Sequence, residues 1–244
     1  MSDVTDLQAG NAELRVFATI ATSLRLLLGD LPVIFSTAVV ILSPSIVLST
    51  FFPEVRVTGI VNSILISVLA AVLSVRVVNR INGVRSPLLA DARHALGRDS
   101  RFLIVSFIAG LAVILGLVVL VIPGLIIYTI YLVVIPVACL ERRKVSDCFS
   151  RSMELTKGRR WRVFGVILVQ LLISIALVAA YTMFVTSVIG IDLDDQIPWG
   201  WHLGFEALGC LLAGFQAVMV TVVYASLRQL KDGVDSHRIA EVFS

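Results

Sequence analysis

Charge is what this chain lacks most. Only 15% of its 244 residues are Asp, Glu, Lys or Arg, where a soluble domain carries about 25%. So few charges cannot cover the surface of a water-soluble domain of this length. Intrinsic disorder is excluded as well. Hydrophobic residues make up 58% of the chain and mean hydropathy is +0.97, whereas disordered chains are poor in apolar residues. Cysteine is scarce. Cys139, Cys148 and Cys210 have spacings that suit neither a disulfide framework nor a metal site, so free, buried or half-buried thiols are expected. Histidine is as scarce. The three are His94, His202 and His237. No catalytic residue, cofactor or metal is implied, and the chain reads as non-enzymatic. The apolar/polar alternation of a membrane β-barrel is also missing, as Leu117-Val-Val-Leu-Val-Ile122 illustrates.

What is present are long uncharged runs. Residues 31–53, 57–75, 163–191 and 207–227 are uncharged over 23, 19, 29 and 21 residues, and 102–140 over 39. A membrane-spanning helix needs about 20 mostly apolar residues to cross a hydrocarbon core about 30 Å thick. Four runs give one span each. The long run gives two, with a tight turn expected at Pro123-Gly124. The expected fold is all-α and polytopic, one integral membrane domain over 1–244 with six spans near 32–52, 57–79, 101–121, 124–141, 161–189 and 203–229. A short tail helix is expected near 235–243, with Asp235 as its cap. The first run begins too far in, and without a short basic leader, to read as a cleavable signal. An uncleaved signal anchor is expected instead.

Six spans put both termini on one side. That side holds 19 of the 20 basic residues, all but Arg56. The positive-inside rule makes it cytoplasmic. The basic sequence pI of about 9.0 is then a topology signal. A nucleic-acid partner is not expected, because no basic face is interleaved with aromatics.

Three short segments precede the odd-numbered spans and resemble one another: Ser23 to Asp30, Ala92 to Asp99 and Met153 to Arg160. Their glycines, Gly29, Gly97 and Gly158, recur 68 and 61 residues apart. The pattern reads as three units, near 11–84, 85–141 and 142–232, with 233–244 as a tail. Each unit is an amphipathic helix followed by a transmembrane hairpin. The first helix would pack Leu14, Phe17, Ile20, Leu24, Leu27 and Leu28 on one face. The second, capped by Ser86, would use Leu88, Leu89, Ala92 and Leu96. The third, capped by Ser146, would use Val145, Cys148, Phe149, Met153 and Thr156. Each glycine would stop its helix in the left-handed conformation. Such helices lie in the headgroup plane, either packed under the bundle as elbows or in contact with lipid headgroups. Arg15, Arg25, Arg93, Arg98, Arg151, Lys157, Arg159 and Arg160 are the candidate contacts to anionic lipid.

Pro123-Gly124, Pro136, and then Ser152, Leu155, Thr156, Lys157, Gly158 and Trp161 form a pattern over residues 122–165. It resembles the membrane domain of glycerophosphoryl diester phosphodiesterases and related stand-alone bacterial inner-membrane proteins of unknown function. The resemblance implies a membrane module. In that family catalysis belongs to a separate soluble barrel domain, and a (β/α)₈ barrel of about 250 residues has no room here.

Polar residues within the spans are few: Asn62, Gln170 and Gln216, with Arg76 and Arg80 placed to snorkel at the end of the second span. Small-residue ridges run along the second span (Gly59, Ser63, Ser67, Ala71) and the sixth (Gly209, Ala213, Ala217, Thr221, Ala225), and both should face other helices within the bundle or a second copy of the chain. Asp192, Asp194, Asp195, His202 and Glu206 make an acidic outer loop, read as solvated ahead of cation-binding. Trp199 and Trp201 beside it fit an aromatic belt. The expected role is to organise or bind membrane lipid, or an unidentified protein partner, at the cytoplasmic face. A small transporter or lipid-handling channel is the alternative.

Overall fold

A computed structural model describes residues 16–51, 58–84, 86–97, 101–141, 144–189 and 199–242. Ten α-helices and no strand occur among them: α1 Val16–Gly29, α2 Leu31–Phe51, α3 Thr58–Ile81, α4 Leu88–Leu96, α5 Arg101–Val119, α6 Val121–Tyr131, α7 Val134–Glu141, α8 Val145–Thr156, α9 Arg160–Ile189 and α10 Trp199–Val242. Six stretches are long and apolar enough to cross a membrane: α2, α3, α5, α6 with α7, α9 and α10. Their ends fall within a few residues of the hydrophobic runs.

The bundle is organised around α3 and α10, which pack on each other and on most other helices. Burial is lopsided. Along α3, every residue from Leu69 to Val77 is half-buried or buried, while Gly59, Ile60, Ser63 and Ile64 are exposed. On α5, buried Phe102, Val105 and Ala109 all sit in the first half. The core therefore lies at the end that carries Arg76, Arg80, Glu141 and Arg151, termed here the basic end. The opposite halves of α5 and α9 present Leu115, Val118, Met183 and Phe184 outward.

The two small-residue ridges meet only over part of their length. Ser67, Ala71, Ala217 and Thr221 are buried, and Thr221 Oγ1 donates to Ser74 Oγ at 3.2 Å. Gly59, Ser63 and Gly209 are exposed, so the ridges do not face helices of this chain throughout.

Two prolines act differently. Pro44, inside α2, has no N–H for the Val40 carbonyl. Ser43 Oγ donates to that carbonyl at 2.8 Å instead, and the helix continues. Pro136 crowds and deprives the Leu132 carbonyl, and here the helix breaks at Leu132-Val133 between α6 and α7. Buried Ser152, on α8, donates its hydroxyl to the Ile130 carbonyl at 2.7 Å beside the break.

The α5–α6 turn falls at Leu120, three residues before the expected position. Leu120 is extended (φ −161°, ψ 139°), and Pro123 sits in the first turn of α6, where its missing N–H costs nothing. Gly124 serves close approach: a Cβ there would lie 2.5 Å from the Leu117 nitrogen, and one on Gly116 would lie 2.9 Å from the Gly124 Cα.

Several local expectations are corrected. Among Gly29, Gly97 and Gly158, only Gly158 is left-handed (φ 82°), while Gly97 has φ −63°. The other left-handed glycine is Gly83 (φ 75°). It closes α3 in a Schellman motif, with Gly83 N–H on the Arg80 carbonyl and Val84 N–H on the Asn79 carbonyl. Ser86 and Ser146 do not cap α4 and α8. Pro87 and Lys144 occupy those positions, and the two hydroxyls bond Asp91 and Asp147. α1 turns Thr19, Ser23 and Leu27 inward and leaves Phe17, Leu24 and Leu28 exposed. α4 buries Asp91 and Ala95 and exposes Leu89 and Leu96. α8 buries Cys148 and Thr156 as expected, together with Ser152 and Leu155, while Met153 is exposed. No separate tail helix forms, since α10 runs unbroken to Val242. Propagation costs less than a new nucleus, and Gly233 alone, at about 1 kcal/mol, does not stop it.

Candidate functional site

The α1–α2 junction is one residue, Asp30, whose carbonyl accepts from Val33 and Ile34 as α2 begins. Its carboxylate faces the end of α3. There Arg80 Nε donates to Asp30 Oδ2 at 2.5 Å, and Arg80 Nη2 also bonds Asp30 Oδ1. Arg76, one turn earlier, points into the bundle with its side chain 10% exposed. It does not snorkel outward. Its Nη2 is 3.5 Å from Asp30, and its Nη1 donates at 3.5 Å to Asp91, whose side chain is 1% exposed. Asp91 is held more closely by neutral donors, Asn79 Nδ2 at 2.8 Å and Ser86 Oγ at 2.5 Å. The Arg76 Nε is buried and has no hydrogen-bond partner.

Two adjoining cavities of about 300 and 270 Å³ share Gly29, Arg76 and Arg80 as walls, and Arg25 lines the second. Three guanidinium groups, those of Arg25, Arg76 and Arg80, thus line the walls of these cavities. The sequence signalled the positions but not the pairing. Asp30 and Arg76 each bound an uncharged run, which brings them to the same end of neighbouring helices.

A second cluster ties α7, α8 and α10 together. Arg151 reaches Glu141 Oε2 at 3.3 Å, Glu154 Oε2 at 3.2 Å and Asp232 Oδ1 at 2.8 Å. Tyr224 donates its hydroxyl to Glu141 at 3.0 Å. Burial works to lower the Arg151 pKa, but the hydrogen bond to Asp232 and the charge of Glu141 outweigh it, so the guanidinium is held above its ordinary value. Arg151 is therefore committed to carboxylates of its own chain.

The remaining basic candidates are distributed around the same end. Arg25 and Arg93 are exposed on α1 and α4. Lys157 is exposed and Arg159 half-buried in the turn between α8 and α9, and Arg160 is exposed at the start of α9. Arg15 and Arg98 lie outside the described residues. Trp161 stands 85% exposed at the start of α9, edge-on to Phe164.

A third feature is a groove of about 340 Å³ bounded by α3, α5, α6, α7 and α10. Gln216 lies exposed on its wall and donates from Nε2 to the Tyr128 hydroxyl at 3.2 Å. Ser67 and Ser106 bond each other at 2.5 Å nearby. Gln170 lies elsewhere. It is buried, with Nε2 3.5 Å from Ser174 Oγ and its Oε1 unpaired.

At the opposite end, Glu206 accepts from Ser49 at 3.3 Å, and Tyr181 donates to the Trp201 carbonyl at 2.6 Å. Asp192, Asp194 and Asp195 lie outside the described residues. Among the described residues no three His, Cys, Asp or Glu side chains stand together as metal ligands, and Cys139, Cys148 and Cys210 are buried. No protein-family model, curated protein or solved structure matches this chain.

Proposed function

We propose that the chain is a non-catalytic integral membrane protein of the bacterial inner membrane, both termini cytoplasmic, which holds anionic lipid headgroups at its cytoplasmic face. The observation that carries this reading is the pair of adjoining cavities walled by the guanidinium-bearing side chains of Arg25, Arg76 and Arg80, the chemistry that pairs with phosphate oxygens. Exposed Arg25, Arg93, Lys157 and Arg160 supply the surrounding attraction, about 1 kcal/mol per charge at an anionic leaflet. The order of short helix and two spans, three times along the chain, supports three repeat units. The resemblance to the phosphodiesterase membrane domain fits this reading. Pro123, Gly124, Pro136, Ser152 and Gly158 serve as backbone devices, which favours a shared scaffold over shared catalysis.

The test is lipid co-purification. The full chain, reconstituted in nanodiscs of mixed zwitterionic and anionic lipid, should retain anionic lipid above its bulk share by native mass spectrometry. Arg25→Gln, at an exposed position, should reduce that enrichment about fivefold, the worth of one charge at about 1 kcal/mol. A lipid complement equal to the bulk mixture and unchanged in the variant would end the proposal. The second reading, a small transporter or lipid-handling channel, is favoured by one observation: the broken fourth span lies on the groove beside Gln216.

A further inference from the structure

The groove shares no wall residue with the arginine cavities. It is concave because small residues line it from three helices: Ala70 on α3, Ala109 and Gly110 on α5, Ala213 and Ala217 on α10. The α6–α7 break also lies on its wall, through Leu132, Val134, Ile135 and Pro136. Backbone that leaves the helix at membrane depth is tolerated where protein buries it or where it lines a cavity.

Within this apolar surface stands one amide that is exposed and under-used. Gln216 has two N–H donors and a carbonyl acceptor. Its one hydrogen bond in the structure goes to the Tyr128 hydroxyl. The Gln216 Oε1, its second N–H and the Tyr128 hydroxyl proton remain available at the same place. Hydrocarbon satisfies none of them, so an exposed amide here is costly unless a polar group arrives. No Asp, Glu, Lys, Arg or His lines the groove, so a charged ligand would find no counter-charge. The volume lies at the lower end of the range for small-ligand sites.

We infer that this groove is a lateral binding site for a neutral amphiphile, with its apolar tail along the small residues of α3, α5 and α10 and a hydroxyl or carbonyl group on Gln216 and Tyr128. Such a ligand enters from the bilayer between α5 and α10. A hydroxyl donates to Gln216 Oε1, and a carbonyl accepts from the Gln216 N–H or the Tyr128 O–H.

The experiment is photolabelling of the full chain in nanodiscs with three diazirine probes of equal chain length: a long-chain alcohol, a long-chain methyl ester and a plain alkane. Peptides of α5 and α10 are read by mass spectrometry. The alcohol, the ester or both should label these peptides about tenfold above the alkane, the effect of about one good hydrogen bond in an apolar site. Which probe is favoured tells hydroxyl from carbonyl recognition. Gln216→Leu should bring the favoured probe down to the alkane level. Gly110→Leu, placed where an added Cβ meets nothing within 4 Å, should fill the groove and remove labelling by all three. That second variant keeps the test decisive if Gln216→Leu fails to fold, as judged by gel filtration. Equal labelling by alkane and polar probes overturns the inference. So does favoured-probe labelling that survives either substitution, or a chain-to-chain crosslink through the groove with no lipid labelled.

Discussion

Replacing Ser152 by alanine removes one hydroxyl from a site that is 0% exposed. That hydroxyl donates at 2.7 Å to the Ile130 carbonyl, next to the point where Pro136 breaks the fourth span. The bond links residues 22 apart in sequence, one on α8 and one on α6. Removing the donor from a buried acceptor costs about 1–3 kcal/mol in soluble proteins, whereas polar interactions between membrane helices average about 0.6 and reach about 1.7 kcal/mol. The carbonyl cannot reach water, so Ser152→Ala should destabilise by about 1–2 kcal/mol, near the top of the membrane range. The measurement is reversible unfolding in mixed micelles, followed by tryptophan fluorescence. A double-mutant cycle with Pro136→Ala sharpens it. Without the proline ring the helix can run through 132–133, the Ile130 carbonyl regains a backbone partner, and Ser152→Ala should then cost little. Coupling of at least about 0.5 kcal/mol is expected, above the usual scatter of additivity. Additive costs, or no cost from Ser152→Ala alone, would refute the idea that the serine compensates for the break.

Gly124→Ala forces a methyl within 2.5 Å of the Leu117 backbone and should destabilise by about 1–3 kcal/mol in the same assay, while Gly59→Ala, in open space, should be silent. Gly158→Ala should cost about 1–2 kcal/mol because φ is 82° there, and Gly29→Ala, at the corresponding point of the first segment, should cost none. Arg151→Leu leaves Glu141, with its side chain 8% exposed, facing a lost cation. A loss of about 2–3 kcal/mol is expected by chemical denaturation, below the value for a fully buried pair because Glu154 and Asp232 are about half exposed.

The limits of the sequence reading have physical causes. The spans were legible because the hydrophobic thickness of a bilayer translates directly into run length, and charge marks the ends of runs. The inward face of α1 was not. Phe17, Leu24 and Leu28 look like a core stripe, yet they point outward while Thr19 and Ser23 point in, and Ser23 Oγ satisfies itself on the Thr19 carbonyl at 2.8 Å. Lipid tails are as apolar as leucine, so hydrophobic periodicity loses its direction and small residues decide which faces approach. Pro44 lies inside a continuous helix, whereas the helix breaks one turn before Pro136. The arginine cavities had a partial signal in Asp30 and Arg76, each bounding an uncharged run. The groove had Gln216 alone, because Tyr128 lies 88 residues away.

By itself the sequence determined that the described residues are all-helical and that six segments are long and apolar enough to cross a membrane. Those properties follow from local composition summed along the chain. Tertiary structure decided which charges pair, where the fourth span breaks and which helices leave a groove. Each of those depends on distances between residues remote in sequence, and one-residue differences in helix rotation settle them.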